Sequence, residues 1–189
     1  MITGEHKKFL KESKVPVVVV GQYTRYATCI YHDDYGAGKA MGKVAAAAAK
    51  DRGRIAYIGV TREDKAVGTA REEGFRAGLK SQGAELEEEY VRKSQFTMES
   101  GYEAALDLLE KKKDIAVLSC ATDTIAAGAI EAILACSRKK IPREIQDSGT
   151  RMEYALKGSS IKVTGFGDNQ FLKAVTGGIP TVHFGYKTS

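Results

Sequence analysis

Three observations predict an α/β fold, a doubly wound parallel sheet with helices on both faces. Short apolar runs rich in β-branched residues recur along the chain, stretches of helical character alternate with them, and Gly, Pro or Asp stands at most junctions. Alternation at this spacing requires right-handed crossovers and therefore a sheet covered on both sides. The 189 residues, at about 100–200 per domain, allow one large domain or two small lobes. A 43% hydrophobic content furnishes the core.

Taken in order, His6 to Ser13 reads as a short helix with Phe9 and Leu10 turned inward. VPVVVVGQ at 15–22 is a β-branched run bounded by Pro16 and Gly21, the pattern of a strand buried on both faces. Ala27 to Tyr31 is a second extended piece, leading into His32-Asp33-Asp34-Tyr35-Gly36. Gly36 to Asp51 is Ala-rich with Lys39, Lys43 and Lys50 spaced along it, a helix by propensity. Asp33 or Asp34 stands at its start, where a carboxylate caps free N–H groups and suits the dipole. Arg54 to Val60 (RIAYIGV) is the next buried strand, and Thr69 to Ser81 a helix closed by Gly83. Glu88 to Val91 is a weak strand. Met98 to Lys112 is a helix whose Lys111, Lys112 and Lys113 complement its negative end. Ile115 to Cys120 is a strand, Thr124 to Cys136 a helix capped by Asp123, and Ile161 to Thr164 a strand.

The charge balance narrows the class. Twenty-nine Lys and Arg against 24 Asp and Glu give +5, mildly basic and short of a protein that coats nucleic acid. Charged residues at 28% argue against intrinsic disorder. No apolar run approaches the roughly 20 residues a membrane helix needs. Cys29, Cys120 and Cys136 lie far apart with no Cys-x-x-Cys, which predicts reduced thiols in a cytoplasmic protein, with no metal site and no cofactor.

In a sheet of this kind ligands bind at the carboxyl ends of the strands. Those positions are Gly21-Gln22, Gly59-Val60-Thr61, Thr122-Asp123 and Gly165-Phe166-Gly167-Asp168-Asn169. They are polar and glycine-rich but hold no nucleophile–base set, so the enzyme reading has little support and no catalytic residue is assigned. GFGDNQ lacks the third glycine of a dinucleotide loop and reads as a tight turn whose Asp168 caps a helix from Gln170. Arg71 reads either as a surface ion pair with Glu72 and Glu73 or as a fork onto sugar hydroxyls or a phosphate. Phe96, in the polar loop KSQFTMES, either plugs the core or forms a flat wall for a sugar.

The order of motifs VPVVVVGQ, YHDDYGAGKA, RIAYIGVTREDKAVGTAREEGF, CATDTIAAGAIEAI, IKVTGFGDNQF and PTVHFGYKTS resembles the effector-binding core of the LacI/GalR family of bacterial repressors. The wording is nearest to its sucrose- and trehalose-type members. The resemblance covers nearly all of the chain except about 146–160. It implies two periplasmic-binding-protein-like (type I) lobes closing on a small sugar or sugar phosphate, a homodimer, and operator DNA bound only through an N-terminal helix-turn-helix that this sequence does not contain. It also implies a ligand site at Arg71, Phe96, Thr122, Asp123, Asp168 and Gln22. On this reading 1–31 are a remnant of the first lobe, most of which is missing, and 32–189 are the second lobe, with an apparent insertion at 146–160 that holds a short amphipathic turn (Met152, Tyr154, Leu156).

Two departures bear on the ligand. Many relatives carry an aspartate directly after the first strand and another in the Gly-aromatic-Asp motif, where Gly21 and Gly167 stand here, with Gln22 and Asp168 one step along. Fewer carboxylates would leave Arg71 less neutralised and suit a phosphorylated sugar or a disaccharide held by uncharged groups. The Val17 to Val20 edge, lacking neighbours, predicts pairing with another copy. The competing reading is a periplasmic-type sugar-binding protein of a transport system; a doubly wound enzyme is a third.

Overall fold

The structure, a computed structural model, describes residues 2–136 and 148–184. Its center is a four-stranded parallel sheet in the order β4-β3-β5-β6. The strands are β3 (Arg54–Gly59), β4 (Val91–Lys93), β5 (Ile115–Cys120) and β6 (Lys162–Thr164). Helix α2 (Asp34–Ala49) packs on α3 (Glu72–Lys80), and α4 (Met98–Lys111) packs on α5 (Asp123–Cys136). With right-handed connections the step from β3 to β4 and the return to β5 run in opposite directions, which places α3 and α4 on opposite faces. The predicted doubly wound α/β architecture is therefore present. β5 lies between β3 and β6, and all six of its residues are buried.

Small residues let the helices approach closely. A Cβ on Gly38 or Gly42 of α2 would collide with the carbonyl oxygens of Arg71 or Phe75, and one on Gly74 or Gly78 with those of Tyr35 or Lys39. The two G-x-x-x-G spacings thus form a backbone contact that brings the start of α2 against the start of α3. Gly101 and Gly128 do the same for α4 and α5.

Several expected elements differ. The run at 15–22 is reduced to β1 (Val18–Val20), which pairs in parallel with β2 (Thr28–Ile30) in a separate two-stranded sheet. It is not buried on both faces: Val18 is 56% and Val20 76% exposed. Helix α1 (Gly4–Glu12) buries no residue, and Phe9 is exposed instead of turned inward. The helix expected from Thr69 begins earlier, as a π-helical turn over Lys65–Arg71 capped by Asp64, and runs on into α3. Glu88–Tyr90 is a 3₁₀ turn that precedes the short β4.

Three caps fall one residue from a predicted position or resolve a choice of two. Asp33 caps α2, accepting from Gly36 N–H at 2.8 Å, which releases Asp34 for another partner. Thr122 rather than Asp123 bonds the Ile125 N–H of α5. Asn169 rather than Asp168 caps α7 (Gln170–Thr176), because Asp168 adopts a left-handed backbone with φ of 51°. The segment at 146–160 contains α6 (Ser148–Gly158), a helix of 11 residues packed on α5 and α7, with Tyr154 and Leu156 half-buried. Positions 146–147 lie outside the described residues.

Candidate functional site

Because β3, β4, β5 and β6 are mutually parallel, their carboxyl ends open on one edge. Backbone bonds tie the loops there together. Ser94 N–H donates to the Gly59 carbonyl at 2.8 Å, Ala121 N–H to the Ile58 carbonyl at 2.9 Å, and Asp123 N–H to the Phe166 carbonyl at 3.0 Å.

Arg71 ends the π-helical turn at this edge, with its side chain 7% exposed. Its Nη2 and Nε donate to Asp34 Oδ1 at 2.5 and 3.1 Å, and Nη1 donates to the Ala121 carbonyl. The guanidinium carbon stands 3.4 Å from the centroid of the Phe166 ring. Stacking and forked donation are what guanidinium chemistry favors over an ammonium. The surface-pair reading with Glu72 and Glu73 does not hold. Glu72 is buried and pairs with Arg76 and Lys93, while Glu73 pairs with Arg62. The expectation of an under-neutralised Arg71 is also corrected: Asp34, 37 residues away in sequence, supplies the counter-charge.

The chain after α7 returns along β6. Gly165 N–H donates to the Pro180 carbonyl and Gly167 N–H to the Val182 carbonyl, both at 2.9 Å. This return sets the Phe184 ring 5.3 Å from Phe166 and 4.3 Å from His32, so aromatic rings line the approach to Arg71. Gly167 has φ of 135°, a backbone that residues with side chains rarely adopt.

Asp123 is buried beneath this turn. Its Oδ2 accepts from Asn169 N–H at 2.6 Å and its Oδ1 from the Thr181 hydroxyl at 2.8 Å. A Cβ on Gly165 would strike its carboxylate, so the loop is shaped around that group. Asp168 Oδ2 lies 2.8 Å from His183 Nδ1. A cleft of about 270 Å³ opens between α7 and the returning chain, lined by Asp123, Asp168, Asn169, Lys173 and Thr181 among others. Burial, reinforced by the Asp123 charge, pushes the Cys120 thiol well above its ordinary range, which keeps it protonated and unreactive.

The sequence-predicted residues divide accordingly. Arg71, Thr122, Asp123 and Asp168 meet on one edge. Phe96 stands on the same edge in the loop after β4 and is 50% exposed, so it does not plug the core. Gln22 lies on the separate β1–β2 ribbon, and its Oε1 accepts from Ile2 N–H at 2.9 Å instead of joining the Arg71 cluster. Sequence reasoning missed Asp34 as the partner of Arg71, and Phe166 and Phe184 as its aromatic surroundings. The paired G-x-x-x-G spacings carried a signal for the first, since they bring α2 and α3 into register. Among the described residues no group of three or more His, Cys, Asp or Glu is placed to hold a metal, and no helix is long and apolar enough to cross a membrane.

Comparison with known proteins agrees with this architecture. The family described as periplasmic binding proteins and sugar binding domain of LacI family matches residues 3–156. The sucrose operon repressor of Staphylococcus xylosus is 31% identical over 125 residues, 66% of this chain and 38% of the repressor. Among solved structures, a LacI family transcriptional regulator from Enterococcus faecium with bound ribose aligns with a TM-score of 0.73 at 16% identity, over 97% of this chain and 62% of that one. The trehalose repressor of Escherichia coli aligns with a TM-score of 0.69 at 22% identity, over 99% of this chain and 62% of that one. The chain thus spans well under half the length of the staphylococcal repressor, and the structural likenesses show a shared periplasmic-binding-protein-like fold. Both lines meet in one conclusion: the chain belongs to the family of periplasmic binding proteins and LacI-type sugar binding domains.

Proposed function

We propose that this chain is the effector-sensing part of a LacI-type transcriptional regulator and that a small sugar is its effector. The observation that carries the reading is Arg71. Among the described residues it uses three N–H groups on Asp34 and Ala121, and a guanidinium has five, so two are counted toward ligand hydroxyls. Phe96, exposed on the same edge, offers a flat apolar face to a sugar ring. Thr122, Asp123 and Asp168 shape the same edge beside Arg71. Operator DNA is met through helices outside this stretch, in a cytoplasmic homodimer. The sugar acts by favoring one lobe arrangement over another, since a ligand shifts an equilibrium only through differential affinity.

The test is calorimetric titration with sucrose, trehalose and fructose. Arg71→Ala would leave Asp34 buried without its counter-charge, at a cost of about 3–5 kcal/mol, so Arg71→Lys is the cleaner variant. It keeps the charge and removes the fork, and is expected to weaken binding about tenfold or more. Phe96→Ala, at an exposed position, is expected to weaken binding several-fold with no loss of melting temperature. Unchanged affinity in both variants would overturn this site.

A further inference from the structure

We infer that the effector of this site is an uncharged sugar and that Asp34 is the residue that sets that preference. The inference rests on the sugar reading above and reverses what fewer carboxylates in the sequence implied.

Arg71 is already charge-compensated. Its side chain is 7% and that of Asp34 12% exposed, with Nη2 and Nε both on Asp34 Oδ1. A pair this buried is little screened by salt, and from outside it presents a dipole instead of a free cation. An arriving phosphate would either meet that dipole or draw Arg71 off Asp34, and the second course strands a buried carboxylate.

The neighboring charges point the same way. Asp123 is buried, and among the described residues its oxygens accept from the Asn169 N–H and the Thr181 hydroxyl, both uncharged donors. It therefore contributes its negative charge undiminished by a cation. Asp168 faces His183 at 2.8 Å. Lys173 lines the adjoining cleft. Lys93, on the β4 side, is committed to the buried Glu72. Among the described residues around Arg71 and the adjoining cleft, the two full cations Arg71 and Lys173 thus stand against three carboxylates, Asp34, Asp123 and Asp168, the last of them shared with the His183 ring. A formal excess of negative charge repels a phosphate, whereas sugar hydroxyls can donate to carboxylates and accept from the spare guanidinium N–H groups. The exposed Phe96 ring supplies an apolar face that suits a ring without charge.

The experiment uses the whole chain and paired probes: fructose against fructose 6-phosphate, trehalose against trehalose 6-phosphate, and sucrose against sucrose 6-phosphate, each by calorimetry at low salt. In at least one pair the free sugar is expected to bind about tenfold or more tighter than its phosphate, a difference of about 1.4 kcal/mol. Asp34→Asn, which keeps the shape and removes the counter-charge, is expected to shift that ratio toward the phosphate. A phosphate that binds as tightly as its free sugar overturns this inference alone. A wild-type preference for the free sugar that Asp34→Asn leaves unchanged overturns the assignment to Asp34. Binding of none of the six probes overturns the sugar reading itself, and this inference with it.

Discussion

β5 has β3 on one edge, β6 on the other and helices over both faces, and it buries Ile115 through Cys120 completely. β1 is as apolar, yet among the described residues it pairs with β2 alone and leaves Val18 and Val20 exposed. The same residue chemistry therefore has two outcomes. An apolar β-branched run states that a strand needs neighbors; it does not say that the chain at hand supplies them. β5 meets that need through sequence-adjacent crossovers, whereas β1 finds only β2 among the described residues and keeps Val18 and Val20 exposed.

The difference can be broken at its strongest point first. Leu118→Ala in β5 empties a fully buried position and is expected to cost about 2–5 kcal/mol, whereas Val20→Ala in β1 should stay within about 0.5 kcal/mol. Urea titrations of the two variants check this. Equal losses would mean that β1 is covered in solution.

The second comparison concerns association. The β1 edge is proposed as the homodimer contact, so the double variant Val18→Lys and Val20→Lys is expected to lower the apparent mass in light scattering at high concentration while the melting temperature holds. An assembly that survives both charges would place the contact elsewhere.

The smallest effect lies inside the packed lobe. The Tyr57 hydroxyl is buried with no hydrogen-bond partner among the described residues, and burial beside Glu72 pushes its ionization above the ordinary phenol range. Tyr57→Phe removes a group that gains nothing from burial, and it is expected to be neutral or stabilizing by up to about 1 kcal/mol in the same titration. A clear loss of stability would show that the hydroxyl has a partner in solution.

What could be read from the sequence follows the range of the interaction. The strands at Arg54 and Ile115 and the helices after Gly36 and Thr97 were legible because each is written in consecutive residues. Caps were legible to within one residue. Whether Asp33 or Asp34, Thr122 or Asp123, Asp168 or Asn169 does the capping depends on backbone angles that the neighboring packing sets. The positive φ at Asp168 is one such angle. The π-helical turn before α3 was not legible, since Gly68 lies directly against the Thr61 carbonyl and that contact belongs to the tertiary fold.

At the site, strand-end topology brought Thr122, Asp123 and Asp168 into consideration, because residues that follow strands in a parallel sheet must share an edge, and the family resemblance added Arg71 and Phe96. Sequence alone could not say what each carboxylate faces. Asp34 became the counter-charge of Arg71 because two glycine-spaced helices pack backbone to backbone. Asp123 became the keystone of a loop because the chain returns past β6 to offer it the Thr181 hydroxyl. The alternation of strand and helix is local and could be decided residue by residue. The electrostatics of the site depend on distances between groups far apart along the chain, and only the folded structure sets those distances.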